Sequence, residues 1–171
     1  MAQSRPGDIN DVVLDLMTYQ AFIAGLSHLP EMIAAGGTTM QECLLRILTE
    51  ACDSEFAFAA VSHPEDDTLR PFAWYPNTPP VALPQRIASP TLAALVRQGR
   101  HDVLVDGDAQ AKMGVEGVRT ALVVPYSNRG ATCVLCVCNR DPDAYARPGL
   151  GMPYISHEVK MCQALLQLRP L

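Results

Sequence analysis

Three cysteines fall within six residues of the stretch ATCVLCVCNR, at Cys133, Cys136 and Cys138. Cysteine thiolates are metal ligands and redox nucleophiles, and Cys133-x-x-Cys136 has the spacing of a zinc knuckle. Knuckles sit in turns, however, where both sulfurs can converge on one ion. The surrounding residues are apolar and β-forming, and along a strand successive side chains point to opposite faces. Cys133 then sides with Leu135 and Val137, and Cys136 and Cys138 side with Val134, so one strand cannot clamp an ion with all three. The four histidines (His28, His63, His101, His157) show no ligand spacing, so no metal and no cofactor is expected. Asp106, Asp108 and Glu116 resemble paired acids, but turn and capping roles account for them more simply. No Ser/His/Asp set, phosphate-binding glycine loop or HExxH pattern is present. No catalytic residue is assigned, and the chain is not expected to be an enzyme.

Composition narrows the classes further. The 171 residues suffice for one domain with its own core, and 49% hydrophobic with 18% charged is a soluble globular composition. The formal charge is −5, and the two lysines and eleven arginines are scattered, which argues against nucleic acid. The polar start MAQSRPGDIN lacks a signal peptide's apolar stretch, and no apolar run approaches the roughly 20 residues that span a bilayer. A cytoplasmic protein with reduced thiols, and neither membrane nor nucleic acid as partner, is expected.

The elements that must position any site read as follows. Asp8 caps a helix over 9–27 with Ile9, Val12, Val13, Leu16, Met17, Phe22, Ile23 and Leu26 at helical spacing. Pro30 suits the first turn of a new short helix, which Gly36-Gly37 ends. Thr39 and Glu42 have capping-box spacing ahead of a helix with Met40, Cys43, Leu44, Ile47, Leu48 and Ala51 on one face. Strands are predicted at 56–62 and 69–75, followed by the proline-rich connection 76–84. Ser89-Pro90 opens a helix that Gly99 ends, and 101–108 gives a short strand closed by an Asp-Gly turn. RTALVVPY and ATCVLCVCN flank SNRG as a hairpin, with Pro125 at a strand end or an edge. A last helix from about Pro153 carries Ile155, Val159, Cys162, Leu165 and Leu166 on one face. The fold class is α+β, a central antiparallel sheet with N- and C-terminal helices packed on one face.

In this order the segments resemble a GAF domain, a relative of the PAS sensory domain, over roughly residues 38–168. ECLLRILTEACDSEFAFAAV is similar to the family's opening helix running into the first strand. SPTLAALVRQGRHDVLVDGDA is similar to its middle segment, and RTALVVPYSNRGATCVLCVCNR to its signature hairpin. The chain then divides into a helical extension, 1–36, as a dimerisation segment, and a GAF-like domain, 37–171. The resemblance implies a homodimer through the terminal helices, with helix 9–27 meeting the last helix across the axis. The plainer alternative is that helix 9–27 covers its own domain.

A ligand pocket is implied between the sheet and segment 84–118. Its candidate residues are Trp74 and Tyr75 (one facing the pocket side or the core), Arg119 and Thr120 at a strand start, and Cys136 with Cys138 or else Cys133 on the floor. Arg119 as an ordinary surface cation stays open. The family's specialised activities match poorly. Enzymes of the free methionine sulfoxide reductase type carry a cysteine in a segment corresponding to 84–118, which here has none. The acidic pair of the cyclic-nucleotide motif that Asn139-Arg140 and Tyr145 echo is missing, as is the bilin-attaching cysteine. The expected function is a stand-alone sensory module for a small-molecule effector, with output through a protein partner. The alternatives are a ligand-free scaffold for homodimerisation and protein interaction and, below both, a thiol reductase.

Overall fold

The computed structural model describes residues 16–17, 20–36, 39–63, 65–105, 109–141 and 162. Thr39 is extended, so its hydroxyl can turn back onto the first helical turn. Its Oγ1 accepts from the Glu42 N–H at 3.2 Å while the Glu42 carboxylate accepts from the Thr39 N–H at 3.0 Å. This capping box starts α2, Met40–Ala51, after a short α1, Leu29–Ala34, whose Pro30 lies in the first turn. Residues 20–27 are also helical. The rest of the predicted 9–27 helix lies mostly outside the described residues, as does the last helix apart from a helical Cys162.

Six strands follow: β1 Phe56–His63, β2 Thr68–Tyr75, β3 Ile87–Ala88, β4 Asp102–Leu104, β5 Ala121–Asn128 and β6 Ala131–Cys138. They form one antiparallel sheet in the order β3-β2-β1-β6-β5-β4. Between β3 and β4 runs α3, Pro90–Gln98, and between β4 and β5 runs α4, Ala109–Met113. β3 and α4, of two and five residues, are too short to leave a periodic signal in the sequence.

The hairpin differs from expectation in its loop. Ser127 and Asn128 pair with Thr132 and Ala131, so SNRG contributes a two-residue turn rather than a four-residue loop. Arg129 and Gly130 both have positive φ, 51° and 82°, the turn whose twist matches that of the strands. Pro125 lies inside β5 opposite Val134, but β4 pairs only with Ala121–Val123, so among the described residues that flank of β5 has no strand partner at Pro125. Proline is tolerated at such an edge position.

The sheet is buried on both faces. On one, Ala57, Ala59, Leu122, Val124, Leu135 and Val137 pack against Phe22, the apolar side of α2 and Cys162. On the other, Phe56, Phe58, Val123, Val134, Cys136 and Cys138 pack under α3, α4 and the segment to Val118. The period-two alternation expected of β6 therefore holds residue by residue. Helical residues 20–27 cover their own domain through Phe22, which is 7% exposed, yet Leu16, Met17 and Ile23 are all more than half exposed.

Candidate functional site

Segment 84–118 is held over the second sheet face by local chemistry. The Ser89 hydroxyl accepts from the Leu92 N–H at 3.1 Å, capping α3, and donates to the Lys112 carbonyl at the end of α4. That closes the two helices into one lid. Beneath it Ile87, Leu92, Met113, Val115 and Val118 are at most 2% exposed, and so are Phe56, Phe58, Cys136 and Cys138. Cys136 and Cys138 are thus core groups under the lid. Burial pushes both thiols far up from their ordinary value, and the neighbouring Cys136 adds to the effect at Cys138. Cys133 points to the other face and sits opposite Tyr126. Burial raises its thiol pKa, and a hydrogen bond with the Tyr126 hydroxyl partly offsets this. A thiol held neutral is a poor nucleophile, so this strand supplies sulfur as apolar volume. Among the described residues no three His, Cys, Asp or Glu side chains converge as metal ligands.

Arg119 and Thr120 belong to a polar knot at the sheet's end. Asn139 follows β6 with φ 64°, a left-handed conformation that asparagine tolerates. Its Oδ1 accepts from the Arg119 N–H at 2.7 Å, and its Nδ2 donates to Glu55 at 2.8 Å and to the Gly117 carbonyl at 3.1 Å. The exposed Arg119 guanidinium pairs with the other Glu55 oxygen at 2.5 Å. Thr120 is buried and donates its hydroxyl to the Arg140 carbonyl at 2.6 Å. An anion approaching Arg119 would meet the Glu55 carboxylate beside it. The residue that organises this knot, Asn139, stood in the sequence as the end of the hairpin's second strand and as an echo of a nucleotide motif, with no structural role assigned.

Trp74 and Tyr75 separate as strand alternation demands. Tyr75 packs against the helix-side core. Trp74 stays 39% exposed and donates its indole N–H to the Asn77 carbonyl at 3.3 Å. It lines a cavity of about 680 Å³ between β2 and the proline-rich segment, with Arg70, Pro71 and residues 77–85 as the remaining walls. Gly117 lies against the middle of this segment. A Cβ there would meet Val81 Cγ1 at 2.7 Å, and φ is 88°, so a side chain would push the segment away. Trp74 alone of the sequence's candidates faces this cavity; Arg119 and Thr120 lie in the knot and Cys136 and Cys138 under the lid.

No family model matches the sequence, and no curated protein matches it. Solved structures do share its fold. The GAF domain of a phosphoenolpyruvate-protein phosphotransferase from Coxiella burnetii superposes with a TM-score of 0.58 at 12% identity, covering 85% of this chain and 88% of that one. A GAF domain from the Acinetobacter phosphoenolpyruvate-protein phosphotransferase gives 0.54 at 12% identity, over 87% and 90% of the two chains. The free methionine-R-sulfoxide reductase from Neisseria meningitidis, solved in complex with its substrate, gives 0.56 at 15% identity, over 91% and 87%. At such identities the shared property is the fold, and the chain has a GAF-like α+β fold.

Proposed function

We propose that this GAF-fold chain is a regulatory module that binds a small molecule or signals through a protein partner and carries out no catalysis. The observation that carries the reading is the state of its sulfur. All six cysteines are buried, and burial pushes the thiols of Cys133, Cys136 and Cys138 upward. A reductase on this frame needs an accessible thiolate beside its substrate. The exposed apolar residues Leu16, Met17 and Ile23 support an interaction surface on the N-terminal helix, and a cytoplasmic homodimer is part of the proposal.

The ligand-free scaffold remains a second reading, favoured by the packed lid. Where the resemblance places a pocket, Ile87, Leu92, Met113 and Val118 fill the space with side chains. A thermal-shift screen against nucleotides, amino acids and organic and inorganic anions separates the two, because a ligand of the folded state raises the melting temperature by mass action. A saturable rise supports the sensory reading. A flat response together with a dimeric mass in solution supports the scaffold, and a flat response from a monomer with no captured protein partner overturns both.

A further inference from the structure

β2 leaves one rim of the sheet unfinished. β3 pairs only with Thr68 and Leu69, so among the described residues Arg70 to Tyr75 have no outer strand neighbour. The proline-rich segment stands beside this rim, and the cavity of about 680 Å³ lies between them. That volume falls within the roughly 300–1,000 Å³ of small-molecule sites. Trp74 lies opposite Phe58, which puts its indole on the lid side of the sheet. The indole N–H is already taken by the Asn77 carbonyl, so what Trp74 adds to the lining is its apolar ring. Four prolines, Val81 and Leu83 extend that apolar wall. Charge is missing from it. The lining has no acidic residue, and its one basic residue, Arg70, lies opposite Val61 on the other face of the sheet with its Nε buried. The polar side chains that remain, Asn77, Thr78 and Gln85, are all uncharged. Backbone hydrogen bonding is one-sided as well, because prolines bring carbonyl acceptors and no N–H.

From these features we propose that the cavity binds an uncharged aromatic molecule whose polar group donates hydrogen bonds. The ring lies against the Trp74 indole and the prolines, and the donors meet carbonyl oxygens of the wall. An ion of either sign would give up water there and gain no counter-charge. This site is separate from the packed core under α3 and α4, where side chains already fill the space. The inference rests on the reading of the chain as a ligand-responsive module and names its ligand class.

Trp74 is the only tryptophan, so its fluorescence reports on this cavity directly. Hydrocinnamamide, titrated into the full chain, is expected to change that fluorescence saturably. Hydrocinnamate and the 3-phenylpropylammonium ion carry the same ring with a negative and a positive head, and each should bind about tenfold more weakly or worse. N,N-dimethylhydrocinnamamide keeps the carbonyl but loses both N–H donors, and should bind about fivefold more weakly, the scale of one hydrogen bond. Trp74→Leu, followed by equilibrium dialysis, should weaken the parent amide by about two- to tenfold at an unchanged melting temperature. Either ion binding as tightly as the amide in the unaltered protein would overturn the proposal without recourse to any variant. So would equal affinities for the two amides, or an affinity that Trp74→Leu leaves as it was. Should another solute class raise the melting temperature while Trp74 stays silent to hydrocinnamamide, this site is wrong and the sensory reading stands. Should no solute act at all, both fall.

Discussion

Asn139→Ala tests how the sheet's end is held. The residue is 8% exposed and makes three good side-chain hydrogen bonds, to the Arg119 N–H, Glu55 and the Gly117 carbonyl. A fourth, from the Thr120 N–H at 3.5 Å, is too long to count. Each good bond contributes about 1 kcal/mol net, and the Arg119 N–H and Gly117 carbonyl lose a partner in a partly buried place. Glu55 loses less, because it keeps Arg119 and water. The bonds together come to about 3 kcal/mol. Alanine at φ 64° adds about 1 kcal/mol of backbone strain that asparagine largely escapes. The expected loss is therefore about 4 kcal/mol, against about 3 kcal/mol for Asn139→Gly, which drops the same bonds but accepts the backbone. Urea denaturation measures both, with a lower midpoint and an unchanged slope expected. A loss below about 1 kcal/mol for alanine, or glycine no better than alanine, would refute the reasoning.

Further expectations follow from the thiols and the loops. Folded-state thiol pKa values at Cys136 and Cys138 are raised above the ordinary 9.0, so their contribution to stability is fully present below that value and lost as pH rises past it. The pair's share of the fall should be about 3 kcal/mol per pH unit, seen in urea curves, and Cys136→Ala with Cys138→Ala should remove that share while leaving what the likewise raised Cys133 and Tyr126 contribute. A native-state thiol titration with an aromatic disulfide should label none of the six cysteines rapidly, and all six in urea; a fast stoichiometric label on the folded protein would contradict the burial. Gly117→Ala should lower the melting temperature through its contact with Val81, and adding Val81→Ala should recover part of the loss; no recovery would leave backbone strain as the sole cause. Thr39→Ala should cost about 1 kcal/mol in the same urea assay, as one half of a capping box.

Much of the frame is legible in local pattern. Thr39 with Glu42, Ser89 with Pro90, and the alternation through Cys133–Cys138 each carry their geometry in a few adjacent residues, and all three occur as read. The site was less legible, because it depends on contacts between distant segments. Asn139 becomes a hub only when Glu55 and Gly117 are brought beside it across 84 and 22 residues of sequence. The proline-rich segment stands beside β2 because β3 stops after pairing with Leu69. Trp74 was among the candidates since a strand-end tryptophan is conspicuous. Alternation alone could not say whether it or Tyr75 faced the core, and the register opposite Phe58 fixes that choice.

The central claim, a GAF-like fold used for regulation rather than thiol chemistry, is tested most directly by incubating the protein with free methionine-R-sulfoxide and dithiothreitol and following methionine. No methionine above the protein-free control is expected, because all six cysteines are buried. Sustained turnover that scales with protein concentration and disappears on alkylation would contradict it.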